Sequence, residues 1–235
     1  TDDDRPGDTL YSTNVLQVRV YDDDPDGPSV AFTNIQGHGS SDYTGTGELL
    51  FYDFGTDTGA PNLQPTRAHS AISSVANVSV NNGSITGYAG VDGAAISATS
   101  WTNTLPQYWQ FAVTLQPGYA LDMTRFGFAA RSSSTGPTAW SLRSSKDSYA
   151  SDLAWGALTA DGNFHDIAVT PSSSSNSGSI TYRLYASNAT ANAGTWRIDN
   201  VYMTGKVYAV SGGSFVATDS DLNTNGVVFW ASVQD

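Results

Sequence analysis

Apolar and polar residues alternate in short runs along this chain, and helical periodicity is almost absent. The runs are "VLQVRVYD" (15–22), "VANVSV" (75–80), "WQFAVTL" (109–115), "RFGFAAR" (125–131), "AWSLRSS" (139–145), "HDIAVT" (165–170), "SITYRLYAS" (179–187), "TWRIDNVYM" (195–203) and "VVFWASV" (227–233). Each places every second side chain on one face, which is the period of a half-buried strand. Gly, Asn, Asp, Ser and Pro bound the runs and supply the turns between them. The pattern predicts an all-β chain folded as an antiparallel β-sandwich of jelly-roll type. The one helix-like stretch, "SKDSYASDLA" (145–154), reads as a short helical turn between strands.

Two composition shifts suggest boundaries. "DDDPDGPS" (22–29) separates an opening strand from the rest, and "GKVYAVSGG" (205–213) precedes a closing strand pair, "SFVATDSD" and "GVVFWASV". The organisation expected is therefore an N-terminal strand with an acidic linker over 1–29, a sandwich over 30–206, and a C-terminal strand pair over 207–235. That last pair reads as part of a following module or as an edge donated to a neighbour. "PSSSSNSGS" (171–179) is a Ser-rich loop.

Charge narrows the partners. The formal net charge over 235 residues is −12, Glu48 is the one glutamate, and the cations are eight arginines with Lys146 and Lys206. Such a surface repels phosphate backbones and argues against nucleic acid. There is no cysteine, so neither disulfides nor thiolate metal sites contribute. No apolar run approaches the length of a membrane-spanning helix. Acidic, lysine-poor, Ser/Thr/Gly/Asn-rich sequence of this kind suits a protein of the extracellular space or cell surface that meets calcium.

Two loops have the spacing of calcium ligands. "DDDPDG" puts Asp22, Asp24 and Asp26 at alternate positions before Gly27, and "DLNTNG" repeats this with Asp221, Asn223, Asn225 and Gly226. Alternate side chains wrap one ion, and the glycine permits the sharp turn. Thr33 and Ser232 stand where a full calcium loop has its twelfth-position glutamate, so affinity would be modest unless backbone carbonyls or a neighbouring strand complete the shell. The same residues also make plain acidic turns, and "NG" is a hairpin tip in its own right.

From about Glu48 to Gly205 the phrases "LLFYDFG", "YALDMTRFGFAARSSSTGPTAWSLRSS", "DSYASDLA", "FHDIAV" and "ITYRLYASNATANAGTWRIDNVYMTG" follow in order. This resembles the jelly-roll domain of secreted, surface-anchored bacterial proteins, including PEP-CTERM sorted ones. More distantly, a first strand of "FYDF" type and a last strand of "IDNV" type look like the ends of carbohydrate-binding-module jelly rolls, whose adjacent terminal strands hold a structural calcium. That resemblance implies Asp53 and Asp199 as metal ligands. The flanks, with "VRVYDDDPDGP", look like the ends of tandem Ig-like repeats.

On the strand "TWRIDN", Trp196 and Ile198 share one face while Arg197 and Asp199 share the other. Asp199 thus reads as a metal ligand or as one half of an ion pair. The plain alternative pairs the strand's charges with neighbours, for example Arg197 or Arg183 with Asp147 or Asp152.

Signals for an enzyme are weak. His38, His69 and His165 are scattered without an H-E-x-x-H spacing, and no G-x-S-x-G elbow appears. Aspartates are so abundant that no carboxylate pair stands out for glycoside hydrolysis. The aromatic residues are more informative, because an exposed ring stacks on the C–H face of a sugar while aspartate and asparagine bind hydroxyls. Trp140 and Trp196 read as core. Tyr108 in "NTLPQYWQ", with Tyr149 and Trp155 in "SYASDLAWG", are the candidates for glycan contact. The expectation is a non-catalytic, calcium-stabilised module of a larger surface protein that binds a glycan or cell-surface polymer. The alternative is a self-assembling subunit of a surface layer or filament, joined to copies of itself through its terminal strands.

Overall fold

Strict alternation in the sequence becomes strict alternation of burial. Gln107–Leu115 and Ala139–Ser144 switch at every residue between buried and partly exposed, and Ser179–Ser187 does so between its exposed ends. The computed structural model describes residues 16–21, 29–31, 46–101, 107–172, 176–209, 216–218 and 228–233. In chain order the strands are β1 (Leu16–Tyr21), β2 (Ser29–Ala31), β3 (Thr46–Tyr52), β4 (Arg67–Ala68), β5 (Ile72–Val75) and β6 (Ser79–Val80). There follow β7 (Thr86–Ala89), β8 (Ala94–Thr99), β9 (Gln107–Leu115), β10 (Tyr119–Ser132), β11 (Ala139–Ser144) and β12 (Ala154–Ala157). The last are β13 (Phe164–Val169), β14 (Asn176–Ser177), β15 (Ser179–Ser187), β16 (Thr195–Ala209), β17 (Val216–Thr218) and β18 (Val228–Val233). The helix-like stretch contributes one 3-10 turn, Ser145–Asp147, between β11 and β12.

The chain divides into two units. The unit of the chain ends contains Thr1–Asp42 and Ser211–Asp235. In it β1 pairs antiparallel with β18, from Leu16 opposite Val233 to Tyr21 opposite Val228, and β2 pairs with β17. The opening strand, which the sequence marks as able to join a neighbour's sheet, thus has the closing strand of the same chain as its antiparallel partner.

The second unit, Tyr43–Val210, is an antiparallel jelly-roll sandwich. Its eight-stranded sheet runs β13-β10-β16-β3-β4, with β8 also on β16, β7 on β8 and β14 on β10. Its six-stranded sheet runs β12-β11-β15-β9-β5, with β6 also on β9. Successive strands cross repeatedly between the two sheets, so the core they enclose is made largely of contacts distant in sequence. Apolar burial holds the layers together. Trp109 of the six-stranded sheet meets Trp196 of the eight-stranded sheet at 6.4 Å between ring centroids, and Trp140 meets Phe128 edge-on at 5.2 Å. Trp101 closes this cluster 5.0 Å from Trp196 and donates its indole N–H to the Ala98 carbonyl.

One irregularity decides where the central charges go. Strand β16 pairs with β10 along its length, while its other edge is shared by β8 (to Ile198) and β3 (from Val201). Between them Asn200 adopts φ 46°, and the register with β10 shifts between Gly127 and Ala129. This bulge changes the parity of the strand. Trp196 and Ile198 face the core before it, and Val201 and Met203 after it.

Candidate functional site

The outward face of the six-stranded sheet gathers side chains from four strands into two rows. Register places Trp155 opposite Ser141, Ser141 opposite Tyr185, and Tyr185 opposite Tyr108. The neighbouring row is Arg143, Arg183 and Gln110. Each strand delivers these residues because its alternate positions, such as Trp140, Leu142, Tyr182, Leu184 and Trp109, are committed to the core.

Within this face Tyr108 and Tyr185 meet edge to face with centroids 5.0 Å apart. The Arg183 guanidinium lies between two rings, its carbon 4.2 Å from the Tyr108 centroid and 3.7 Å from that of Tyr149. Its Nε donates to Gln110 Oε1 at 3.0 Å. Arg143 lies 5.3 Å from the Tyr185 centroid, and its Nε donates to Asp152 Oδ1 at 2.6 Å. The expected pairing of Arg197 or Arg183 with Asp147 or Asp152 does not form: Arg143, two residues from Ser141 on its own strand, takes Asp152. Asp147 instead accepts the N–H groups of Ala150 and Ser151 at 3.2 and 2.9 Å. Hydrogen bonding at Ser151 is the main cause that holds its carboxyl below the ordinary value.

Tyr149 reaches Arg183 at a conformational cost. Ser148 and Tyr149 have φ 59° and 64°, consecutive left-handed residues that follow the 3-10 turn, and the Tyr149 N–H is fixed by the Ser144 carbonyl at 2.9 Å. A bulky residue with positive φ is uncommon and costs on the order of 1–3 kcal/mol. Here it sets the ring on the guanidinium face. Beyond Tyr185 lies a shallow open groove of about 330 Å³, lined by Ser141, Arg143, Asp152, Trp155, Tyr185 and Ser187 among others. Trp155 is 75 % exposed, an unusual state for so large an apolar side chain.

Of the three glycan candidates, the structure brings Tyr108 and Tyr149 together around Arg183 and puts Trp155 across Ser141 from Tyr185. Tyr185, Arg183, Arg143 and Gln110 complete the face and were not among the candidates. A signal for two of them exists in "SITYRLYAS", where Ile180, Tyr182 and Leu184 share a parity and leave Arg183 and Tyr185 on the other. Nothing in the sequence marks Arg143 or Gln110 as their neighbours.

The second candidate site surrounds Asp199, which is fully buried. Its Oδ2 accepts the Val91 N–H at 2.8 Å and its Oδ1 the Asn200 N–H at 2.7 Å. The turn between β7 and β8 can close over it because residue 90 is glycine; a Cβ there would lie 2.3 Å from Oδ2. Burial pushes the Asp199 carboxyl above its ordinary value, backbone N–H groups oppose the shift, and the Asp53 charge adds to it. Asp53 accepts the Gly55 N–H at 2.9 Å and the Thr66 hydroxyl at 2.5 Å, and the hydroxyl chiefly holds its carboxyl low.

These donors fit calcium in kind: hard carboxylate oxygens, one of them buried without a cationic partner among the described residues. The Val91, Asn200 and Asp92 N–H groups occupy part of the Asp199 lone-pair capacity, and the two carboxylate oxygens together have more acceptor sites than these three bonds use. In number they are few, since the described residues contain no group of three His, Cys, Asp or Glu able to hold a metal, and backbone carbonyls would have to supply the balance. Asp22, Asp24, Asp26, Asp221, Asn223 and Asn225 lie outside the described residues. No helix among the described residues is long and apolar enough to cross a membrane.

No family model and no curated protein matches the chain. Among solved structures it is similar to TmCBM61, solved in complex with β-1,4-galactotriose, at 14 % identity and a TM-score of 0.34, over 59 % of this chain and 90 % of that one. It is similar to the K3 cleaved adhesin domain of Lys-gingipain from Porphyromonas gingivalis at 14 % identity and a TM-score of 0.35, over 50 % and 78 % of the two chains. A third likeness is to the enzymatically active domain of tailspike protein 4 of bacteriophage CBA120, at 18 % identity and a TM-score of 0.35. It covers 57 % of this chain but 19 % of the tailspike chain. Likenesses at this level assign neither family nor function.

Proposed function

We propose that this chain is a non-catalytic carbohydrate-binding or adhesive module of a larger extracellular protein. The observation that carries the reading is the outward face of the six-stranded sheet, where Trp155 is 75 % exposed in register with Ser141, Tyr185 and Tyr108. A sugar ring has an apolar C–H face and a rim of hydroxyls. The aromatic row offers stacking surface, and Ser141, Arg143, Arg183 and Gln110 offer hydrogen-bond partners beside it. These groups are held before any ligand arrives: Arg183 by two rings and Gln110, Arg143 by Asp152 and the Tyr149 carbonyl. Fixed side chains lose little conformational freedom on binding. Asp152, the carboxylate that lines the groove, is spent on Arg143, which suits adhesion better than hydrolysis.

Calcium enters this reading as a structural ion at Asp53 and Asp199. It would compensate the buried carboxylate and tie the strand β16 to the loop after β3 and the turn after β7. The acidic loops at Asp22 to Asp26 and Asp221 to Asn225 remain proposals of the same kind.

Native gels cast with soluble galactan, xylan, mixed-linkage glucan or pectin test the reading. Retarded migration in at least one gel is expected, with loss of retardation in Trp155→Ala and in Tyr185→Ala. Unretarded migration in every gel, together with a blank glycan array in calcium buffer, would remove the carbohydrate-binding function.

A further inference from the structure

The opposite surface of the sandwich, the outward face of the eight-stranded sheet, carries a second cluster of a different kind. Arg131 of β10 and Arg197 of β16 stand directly opposite each other in the antiparallel ladder. Like charges in that position repel and destabilise a sheet. Both guanidinium groups lie against one ring, Arg197 at 3.9 Å and Arg131 at 4.8 Å from the Tyr88 centroid, so they are no farther apart than the sum of those distances. Phe164 flanks Arg131 from the other side at 6.0 Å.

Neither arginine is neutralised. Among the described residues they form no ion pair and no hydrogen bond, and the Nε of each is buried without a partner. Three of the chain's other basic side chains have a carboxylate partner, whereas Arg183, like this pair, has aromatic faces, with the neutral amide of Gln110 beside it. Arg67 has Glu48 at 2.7 Å, Arg143 has Asp152 at 2.6 Å, and the imidazole of His165 has Asp161 at 3.0 Å. A chain with a formal charge of −12 has carboxylates to spare, yet none of the described ones is set against this pair. Buried unpaired donors in a native protein call for a cause. Aromatic faces cover only the flat sides of the guanidinium groups and leave their N–H edges as donors, the arrangement with which arginine grips a carboxylate or sulfate through two parallel bonds.

We infer that Arg131 and Arg197 form a clamp for a single oxyanion group, a carboxylate or sulfate, with Tyr88 and Phe164 as its apolar walls. The site is independent of the aromatic face of the six-stranded sheet. An oxyanion bridging the two cations removes their repulsion and supplies the acceptors their N–H groups lack. The chain's overall negative charge keeps such a site selective for a discrete group that fits, because a long polyanion is repelled by the rest of the surface.

Thermal unfolding of the intact chain, in sodium sulfate and in sodium chloride of equal ionic strength, tests this. Sulfate stabilises proteins in general by exclusion from their surface, so the readout is the difference between wild type and Arg131→Gln/Arg197→Gln. The wild type should gain about 5 °C more in saturating sulfate than the double variant. In chloride each single variant should melt no lower than the wild type, because each relieves a repulsion, and the double-mutant coupling should be repulsive in chloride and turn favourable in sulfate. A parallel series with monomeric galacturonate, which carries one carboxylate, separates the sources of the group. A response to sulfate alone assigns a free anion, and a larger response to the uronate assigns an acidic sugar. Equal gains for wild type and double variant in both series overturn the clamp.

Discussion

Replacing Trp155 by alanine separates binding from folding, because the structure places this indole where it contributes to one and not the other. A tryptophan offers up to about 250 Å² of surface, and at 75 % exposure roughly 190 Å² of it is open. A sugar ring stacked on one of the two indole faces covers about half of that, ~95 Å², worth ~2.4 kcal/mol at about 25 cal/mol per Å². Trp155→Ala should therefore weaken the Kd for the glycan selected by the gels about 50-fold. Its melting temperature should stay close to wild type, since truncating an exposed side chain changes stability by at most about 0.5 kcal/mol. Trp109→Ala is the counterpart: this indole is fully buried and packs against Trp101 and Trp196. It should cost about 3–5 kcal/mol of stability. Isothermal titration calorimetry on wild type and Trp155→Ala, with melting curves on all three proteins, gives both quantities. A Trp155→Ala protein that binds within threefold of wild type would refute the placement of the glycan on this face.

Three further outcomes follow from the geometry. Calcium at about a hundred times its Kd should stabilise the sandwich by roughly 2.7 kcal/mol, with most of the gain lost in Asp199→Asn; melting curves that coincide in millimolar calcium and in chelator would exclude a structural ion. Gly205→Ala should destabilise by about 3 kcal/mol in urea unfolding, because its Cβ would lie 2.0 Å from the Asp122 carbonyl oxygen and 2.9 Å from Leu49 Cδ1; an unchanged midpoint would contradict the strand spacing. Asp161 is held down to about 2, first by the Asn163 N–H, then by the Asn163 and His165 side chains. A carboxyl depressed in the folded state contributes stability above its unfolded value and loses it as pH falls through the folded one. The Asp161 carboxyl carbon should accordingly titrate near pH 2 in a carbon-13 NMR series, and a midpoint near 4 would deny the turn's hydrogen bonds.

The alternating runs carried most of the architecture. In "WQFAVTL" and "SITYRLYAS" the period of two is a property of the extended backbone itself, so it assigns strand and buried face without reference to anything distant. The burial of Trp140 and Trp196 was legible for the same local reason. Parity fails at Asp199 and Asn200. One left-handed residue and a register shift move Val201 rather than Asn200 into the core, and nothing within "RIDN" announces it. Asp199 is buried by a turn 108 residues away whose glycine leaves room for its carboxylate. The binding face and the arginine clamp have the same origin. Trp155, Ser141, Tyr185 and Tyr108 form a row, and Arg131 meets Arg197, only through the register of strands that lie far apart along the chain. Local alternation decides which face a side chain takes. Which other side chains it meets there depends on strand pairing, and that is settled by the packing of the whole sandwich, in which a slip of one residue would send every core side chain of a strand to the surface.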